Sequence, residues 1–240
     1  ISFAEALPRL RNSVHEHLQL RGMPREKVLT TIIALLEQTL LRIGNEDYAK
    51  QNGSFGLTTL RNRHVAIDGS ELRFMFKGKS GKSWKLNVRN KRVAKIVRSC
   101  QELPGQNLFQ YLGEDGSPRK ISSGDVNEYL NEVAGRAVTA KDFRNWAGTV
   151  EAALAFHRIE GPPLKKHTRE TVVKVAERLG NTPTICRKCY IHPEVIAAFE
   201  AGELSLGADI DEEPGDHLDL DKAERAVLRF LKSRRAASSP

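Results

Sequence analysis

The chain has 240 residues, of which 40% are hydrophobic and 28% charged, enough to bury one good core or two small ones. No run approaches the roughly 18 apolar residues of a membrane-spanning helix and no signal peptide is evident, so a cytoplasmic protein with no membrane partner is the expectation. The net charge of +8 is uneven: residues 201–240 hold 9 acidic and 6 basic residues, leaving 32 basic against 21 acidic before them, a surplus of 11 that suits a polyanion.

In chain order, residues 3–20 and 24–41 read as helices. The second starts at Pro24 and keeps Leu29, Ile32, Ile33, Leu36 and Leu40 on one face, with Gly44 ending it and Arg42 at its edge. From Leu57 to Val88 the pattern alternates and is interrupted by Asp68-Gly69 and by Gly78-Lys79-Ser80-Gly81-Lys82, which predicts a three-stranded antiparallel meander with a basic second turn. Helices follow at 90–99 and 123–133. A longer one at 139–159 has an apolar stripe of Phe143, Trp146, Ala147, Val150 and Leu154. Gly161-Pro162-Pro163 breaks it, 168–179 is helical, Gly180-Asn181 closes that helix, and Thr182-Pro183 starts another that carries Tyr190. The acidic segment 207–221 reads as a linker before a last helix at about 219–233. The fold class is therefore α+β, mainly helical, with a small antiparallel sheet.

The three cysteines, Cys100, Cys186 and Cys189, are too few for a disulfide scaffold. Cys186 and Cys189 have CxxC spacing, but no second ligand pair accompanies them, and reduced thiols are the expectation.

Four stretches resemble the type IB DNA topoisomerase family. RIGNEDYAKQNGSFGLTTLRNRHV (42–65) is similar to its Arg, Tyr and Gly-Leu-x-Thr-Leu segment, and FKGKSGKSWKLNV (76–88) to its Gly-Lys hairpin. KDFRNWAGTV (141–150) is similar to its Lys-Asp-[Leu/Phe]-Arg helix. LGNTPTICRKCY (179–190) is similar to its Leu-Gly-His-Thr-Pro ending with a downstream Tyr. Each stretch alone is weak; four in order are specific. The resemblance implies a topoisomerase IB/tyrosine recombinase-like catalytic domain over 1–200, with helices in 1–56, the sheet in 57–88 and helices in 89–200. Residues 201–240 would be the linker and C-terminal helix. The chain opens at Ile1 without Met, and the family's N-terminal clamp domain is expected to lie outside it.

The same resemblance implies the roles. Tyr190 would attack phosphorus to form a 3′-phosphotyrosyl bond, Arg42 and Arg144 would hold the scissile phosphate, and Lys79 would protonate the leaving 5′-oxygen, with Lys82 an alternative. Asn181 stands where the family usually has His; Asn donates a hydrogen bond but carries no charge. Asp142 is close enough in sequence to orient Arg144. Tyr48, Lys50, Arg61, Arg63, Lys77, Lys82 and Lys188 would contact the DNA. Side-chain cations suffice for this chemistry, so neither ATP nor metal nor any other cofactor is implied. The implied partner is double-stranded DNA, bound by a monomer of bacterial or poxvirus-like type, cytoplasmic and nucleoid-associated. A tyrosine recombinase and a non-catalytic DNA-binding relative are the alternative readings.

Overall fold

The computed structural model describes residues 1–207, 210 and 219–237, so most of the acidic segment expected as a linker lies outside the described residues. The chain divides into two compact units, residues 12–141 and residues 1–11 with 142–240. Helix α1 (Ser2–His17) belongs to both, its first part to the latter unit and its last turns to the former. Among the described residues no helix is long and apolar enough to cross a membrane.

In the 12–141 unit, α2 (Arg25–Thr39) is the central element, with every residue from Val28 to Leu36 buried. Thr30 and Thr31 fit into that interior because their hydroxyls donate to the Glu26 and Lys27 carbonyls one turn back. The helix is shorter than the sequence suggests: Leu40 takes a left-handed conformation and caps it, and Arg42 lies in the extended stretch beyond. A short helix, α3 (Glu46–Asn52), follows, capped by Asn45, whose side chain accepts from the Tyr48 N–H.

The sheet has the predicted order but starts later. Strands β1 (Val65–Asp68), β2 (Glu71–Lys77) and β3 (Ser83–Arg89) pair antiparallel, with Val65 opposite Phe74 and Phe74 opposite Leu86. Leu72, Phe74 and Phe76 point inward, while Arg73, Met75 and Lys77 are exposed. Residues 57–64, expected as strand, form two 3-10 turns instead. The Leu57 and Thr58 amides bond to the Arg42 and Ile43 carbonyls, the Thr59 and His64 side chains accept from the Gly56 and Arg61 amides, and Arg61 makes only an isolated antiparallel bridge to Asn107, so the stretch stays out of the three-stranded sheet.

Helix α4 (Lys91–Gln101) packs on α2 and β2 and buries Val93, Ala94, Ile96 and Val97. A small antiparallel ribbon, β4 (Gln110–Leu112) and β5 (Pro118–Lys120), interrupts the region read as all helical, and α5 (Ser123–Ala134) starts from a Ser122–Asp125 capping box.

The other unit is helical: α6 (Ala140–His157), α7 (Lys165–Leu179), α8 (Pro183–Cys189), α9 (Pro193–Glu200) and α10 (Lys222–Ala237). Phe156 and Phe199 stack at 4.2 Å, and Phe3 meets Phe143 edge-on at 4.9 Å. The last helix is anchored by a buried carboxylate. Glu224 accepts from the Trp146 indole at 3.0 Å and from both terminal nitrogens of Arg11 at 2.8 and 3.0 Å, and it caps its own helix through the Asp221 N–H. The C-terminal helix is thereby built into the same unit as α6.

Candidate active site

The candidate residues divide between the two units: Arg42 and Lys79 in one, Arg144, Asn181 and Tyr190 in the other. In residues 12–141 the Arg42–Gly44 stretch lies against Gly56–Thr58. A side chain at Gly56 would put its Cβ 2.6 Å from the Arg42 carbonyl oxygen, so the glycine of Gly-Leu-Thr-Thr is needed for close backbone approach. The Phe55 amide bonds to the Lys77 carbonyl at 2.7 Å, tying this stretch to β2.

At the β2–β3 turn Ser80 has a positive φ of 60°, and Gly78 leaves no room for a Cβ beside the Trp84 indole, 2.5 Å away. The exposed Lys79 places its ammonium 5.9 Å from the Tyr48 ring centre, whereas Lys82 sits 4.9 Å over the Trp84 ring. Lys79 thus faces the α3 segment that holds Tyr48 and Lys50, and Lys82 is engaged elsewhere. Lys77 is exposed on the outer face of β2.

Around Lys50 is a cleft of about 570 Å³, lined among others by Asn45, Thr58, Arg61 and Lys120. Lys120 and Lys50 both reach Glu46, at 3.1 and 3.3 Å, and together hold its carboxyl below the usual range. The Arg61 guanidinium covers Phe55 at 5.5 Å, and Arg63 is exposed. The buried His64 accepts the Arg61 amide on Nδ1 at 3.0 Å. Burial first, then Arg63 and Arg61, keep its pKa below the ordinary histidine value, so it is a neutral structural acceptor.

In the other unit α6 presents Arg144, which is only 3% exposed. Its Nη2 donates to the Leu179 carbonyl at 2.7 Å and its guanidinium carbon is 5.2 Å from the Tyr190 ring centre. The Leu-Gly-Asn-Thr-Pro run explains that acceptor. Gly180 at φ 63° bonds to Glu177 and the Asn181 amide reaches back to Ala176, a Schellman ending that leaves the Leu179 carbonyl available to Arg144. Asn181 is half-buried at the first residue past the glycine. Thr182 then caps α8 with Pro183 at its first position.

Helix α8 ends at Cys189, so Tyr190 follows the helix rather than lying within it. Its amide bonds to the Cys186 carbonyl at 3.0 Å. Two residues of α6 that sequence reasoning missed complete its support. Gly148 permits close packing, because a Cβ there would lie 3.2 Å from both the Tyr190 carbonyl oxygen and a Leu179 methyl. The buried Thr149 hydroxyl accepts the His192 amide at 3.0 Å and lies 3.3 Å from the Tyr190 carbonyl and 2.8 Å from that of Asn145. The only sequence signal for this pair was a glycine inside a helical pattern.

Lys188 is exposed at a cleft of about 300 Å³ that Asp142, Asn145, Thr149 and Tyr190 also line. Cys186 is buried and its thiol is pushed up to about 11, chiefly by desolvation, while Cys189 is exposed. The CxxC pair therefore points one sulfur into the core and one outward.

A fold of this kind with an arginine packed on a tyrosine just past a helix end defines a class, and comparison with known proteins gives the family. Residues 1–212 match the family model of the catalytic core of eukaryotic DNA topoisomerase I. The chain is 27% identical over 244 residues to the DNA topoisomerase 1B of Acanthamoeba polyphaga mimivirus, covering 97% of this chain and 70% of the viral one. It is 26% identical over 176 residues to the DNA topoisomerase 1B of Vaccinia virus (strain Copenhagen), covering 68% of this chain and about half, 52%, of that relative. In fold it is similar to the XerH site-specific recombinase in a post-cleavage complex with palindromic difH substrate, with a TM-score of 0.50 at 15% identity over 82% of this chain and 50% of that one. The chain belongs to the DNA topoisomerase I catalytic-core family and is a type IB topoisomerase catalytic domain.

Proposed function

We propose that Tyr190, Arg144, Arg42, Lys79 and Asn181 carry the strand transfer by which this domain relaxes supercoiled DNA. The Tyr190 hydroxyl oxygen attacks the phosphorus of one strand and gives its proton to water, the Tyr190 Oη–P bond forms as the P–O5′ bond breaks, and the 5′-oxygen leaves with a proton from Lys79, which water then returns to the amine. Arg144 and Arg42 stabilise the charge building on the non-bridging oxygens, and the Asn181 amide donates a further hydrogen bond. The phosphodiester energy is kept in the phosphotyrosyl bond, so the 5′-hydroxyl reseals the strand by the reverse attack after rotation.

The observation that carries this reading is the Arg144 guanidinium, buried, fixed by the Leu179 carbonyl and 5.2 Å from the Tyr190 ring. A cation held this deep beside a tyrosine ring costs solvation that catalysis would justify. The contact of Lys79 with Tyr48 supports Lys79 over Lys82 as the acid. Tyr48, Lys50, Arg61, Arg63, Lys77 and Lys188 are proposed to hold the duplex, Lys82 serving as a further phosphate contact.

Incubation with one supercoiled plasmid, in EDTA and without ATP, tests the proposal. Relaxation first order in protein, lost in Tyr190→Phe, is the expected result for a monomeric enzyme. Dependence on two copies of a DNA site would instead fit a recombinase, and no relaxation by the native chain would fit a non-catalytic relative.

A further inference from the structure

Glu151 is a carboxylate that the packing of α6 does not require. Its side chain is 28% exposed, and burial raises its pKa against the lowering effect of the Arg178 charge. Its Oε2 is closed off from solvent and faces Nη1 of Arg178, on α7, at 3.4 Å, while the Arg178 side chain is 60% exposed. Such a pair is a weak source of stability, because the acid loses in desolvation about what a cation standing mostly in water returns. Two apolar residues would join α6 to α7 at least as well.

The place of the pair gives it a purpose. Arg144, Gly148 and Glu151 stand at i, i+4 and i+7 of α6, on one face that runs about 10 Å along the helix. All three meet the end of α7. Arg144 donates to the Leu179 carbonyl, Gly148 lets a Leu179 methyl and the Tyr190 carbonyl approach, and Glu151 takes Arg178, the residue before Leu179. Arg178 is also three residues before Asn181, in the turn whose Ala176 and Glu177 carbonyls receive the Asn181 and Gly180 amides. The buried Val175 and Leu179 hold the two helices together, but apolar contact is non-directional and does not fix how α7 is turned about its axis. A carboxylate gripping one guanidinium does. Glu151 bears on α8 as well: the Cys186 thiol, raised first by desolvation, is raised further by Glu151, and the Cys186 carbonyl receives the Tyr190 and Ile191 amides.

We propose that Glu151 is a positioning residue for strand transfer, which through Arg178 fixes the last turn of α7 and so places the Leu179 carbonyl that seats Arg144 and the side chain of Asn181. The inference rests on the roles given to Arg144 and Asn181 in cleavage, and adds the residue that sets their spacing.

The test compares single-turnover adduct formation, duplex affinity and thermal unfolding in the native chain, Glu151→Gln, Arg178→Ala and the double variant. Either single substitution should slow adduct formation about tenfold, since a misplacement of about 1 Å is worth on the order of 100-fold and the shift here is smaller. Duplex affinity should stay within twofold and the melting temperature within about 5 °C. The double variant should be within twofold of the slower single one, because both changes break the same tie. Arg178→Lys, which keeps the cation, should cleave within threefold of the native chain. Arg178 is exposed, so its variants test the inference even where a substitution at the half-buried Glu151 disturbs folding. Native-like cleavage by Arg178→Ala, or additive slowing in the double variant, would overturn the inference. A matching loss of duplex affinity would overturn it too, by making Arg178 a phosphate contact, as would slowing seen only with a larger fall in melting temperature. No adduct from the native chain would instead sink the DNA-cleaving reading, and the inference with it.

Discussion

Thr149→Val removes one hydroxyl and almost no volume, and the structure specifies what that hydroxyl does. It accepts the His192 amide at 3.0 Å and lies 3.3 Å from the Tyr190 carbonyl, at a position 4% exposed. Leaving the amide without its acceptor should cost about 1–3 kcal/mol of stability. Tyr190 keeps its amide bond to Cys186 but loses its tie to α6, so the side chain is free to drift relative to Arg144. A misplacement of about 1 Å at a reacting atom is worth on the order of 100-fold, so single-turnover cleavage should slow by about 10- to 100-fold. The assay is adduct formation on a duplex whose short downstream fragment dissociates after cleavage, well below the melting temperature. Thr149→Ser should cleave within about threefold of the native chain, since it retains the hydroxyl. Native-like cleavage by the Val variant, or equal slowing in Ser and Val, would refute the reasoning.

Arg144→Lys should lower adduct formation by about 100-fold, because a single ammonium cannot serve the Leu179 carbonyl and a phosphate as a planar fork does; the same single-turnover assay reads it. Asn181→His should raise cleavage about tenfold at pH 6 and lose that gain as the imidazole deprotonates, seen as a new limb in the pH–rate profile. Glu224→Ala leaves Arg11 and Trp146 without their buried acceptor and should cost about 3–5 kcal/mol in denaturant unfolding. His64 and His192 are both held below the ordinary value of 6.5, so the unfolded chain takes up these protons first. Stability is therefore complete above that pH and declines as pH falls through it, and His64→Gln should flatten part of that decline.

The Leu-Gly-Asn-Thr-Pro run was readable from sequence because its glycine, threonine and proline each satisfy a local rule of helix ending or starting, and the structure uses them so. The 57–64 stretch misled for the opposite reason. Its β-branched residues match a strand, but its first two amides, of Leu57 and Thr58, are taken by the Arg42 and Ile43 carbonyls, a partner fifteen residues upstream that no local pattern reveals. The β4–β5 ribbon has three residues per strand, too short for alternation to register. Glu224 is 78 residues from the Trp146 it accepts from, and Thr149 is 43 from His192, so both are products of tertiary packing alone. The burial of Arg144 was not legible either, because it comes from the α7 ending and Tyr190, 35 and 46 residues downstream, closing on its side chain.

The most direct measurement is to incubate the native chain with a duplex, denature the mixture, digest any adduct and locate the modified residue by mass spectrometry. The account predicts one nucleotide remnant joined through a 3′-phosphate to Tyr190, absent from Tyr190→Phe. An adduct at another residue, a 5′-linked remnant, or no adduct after prolonged incubation would contradict it.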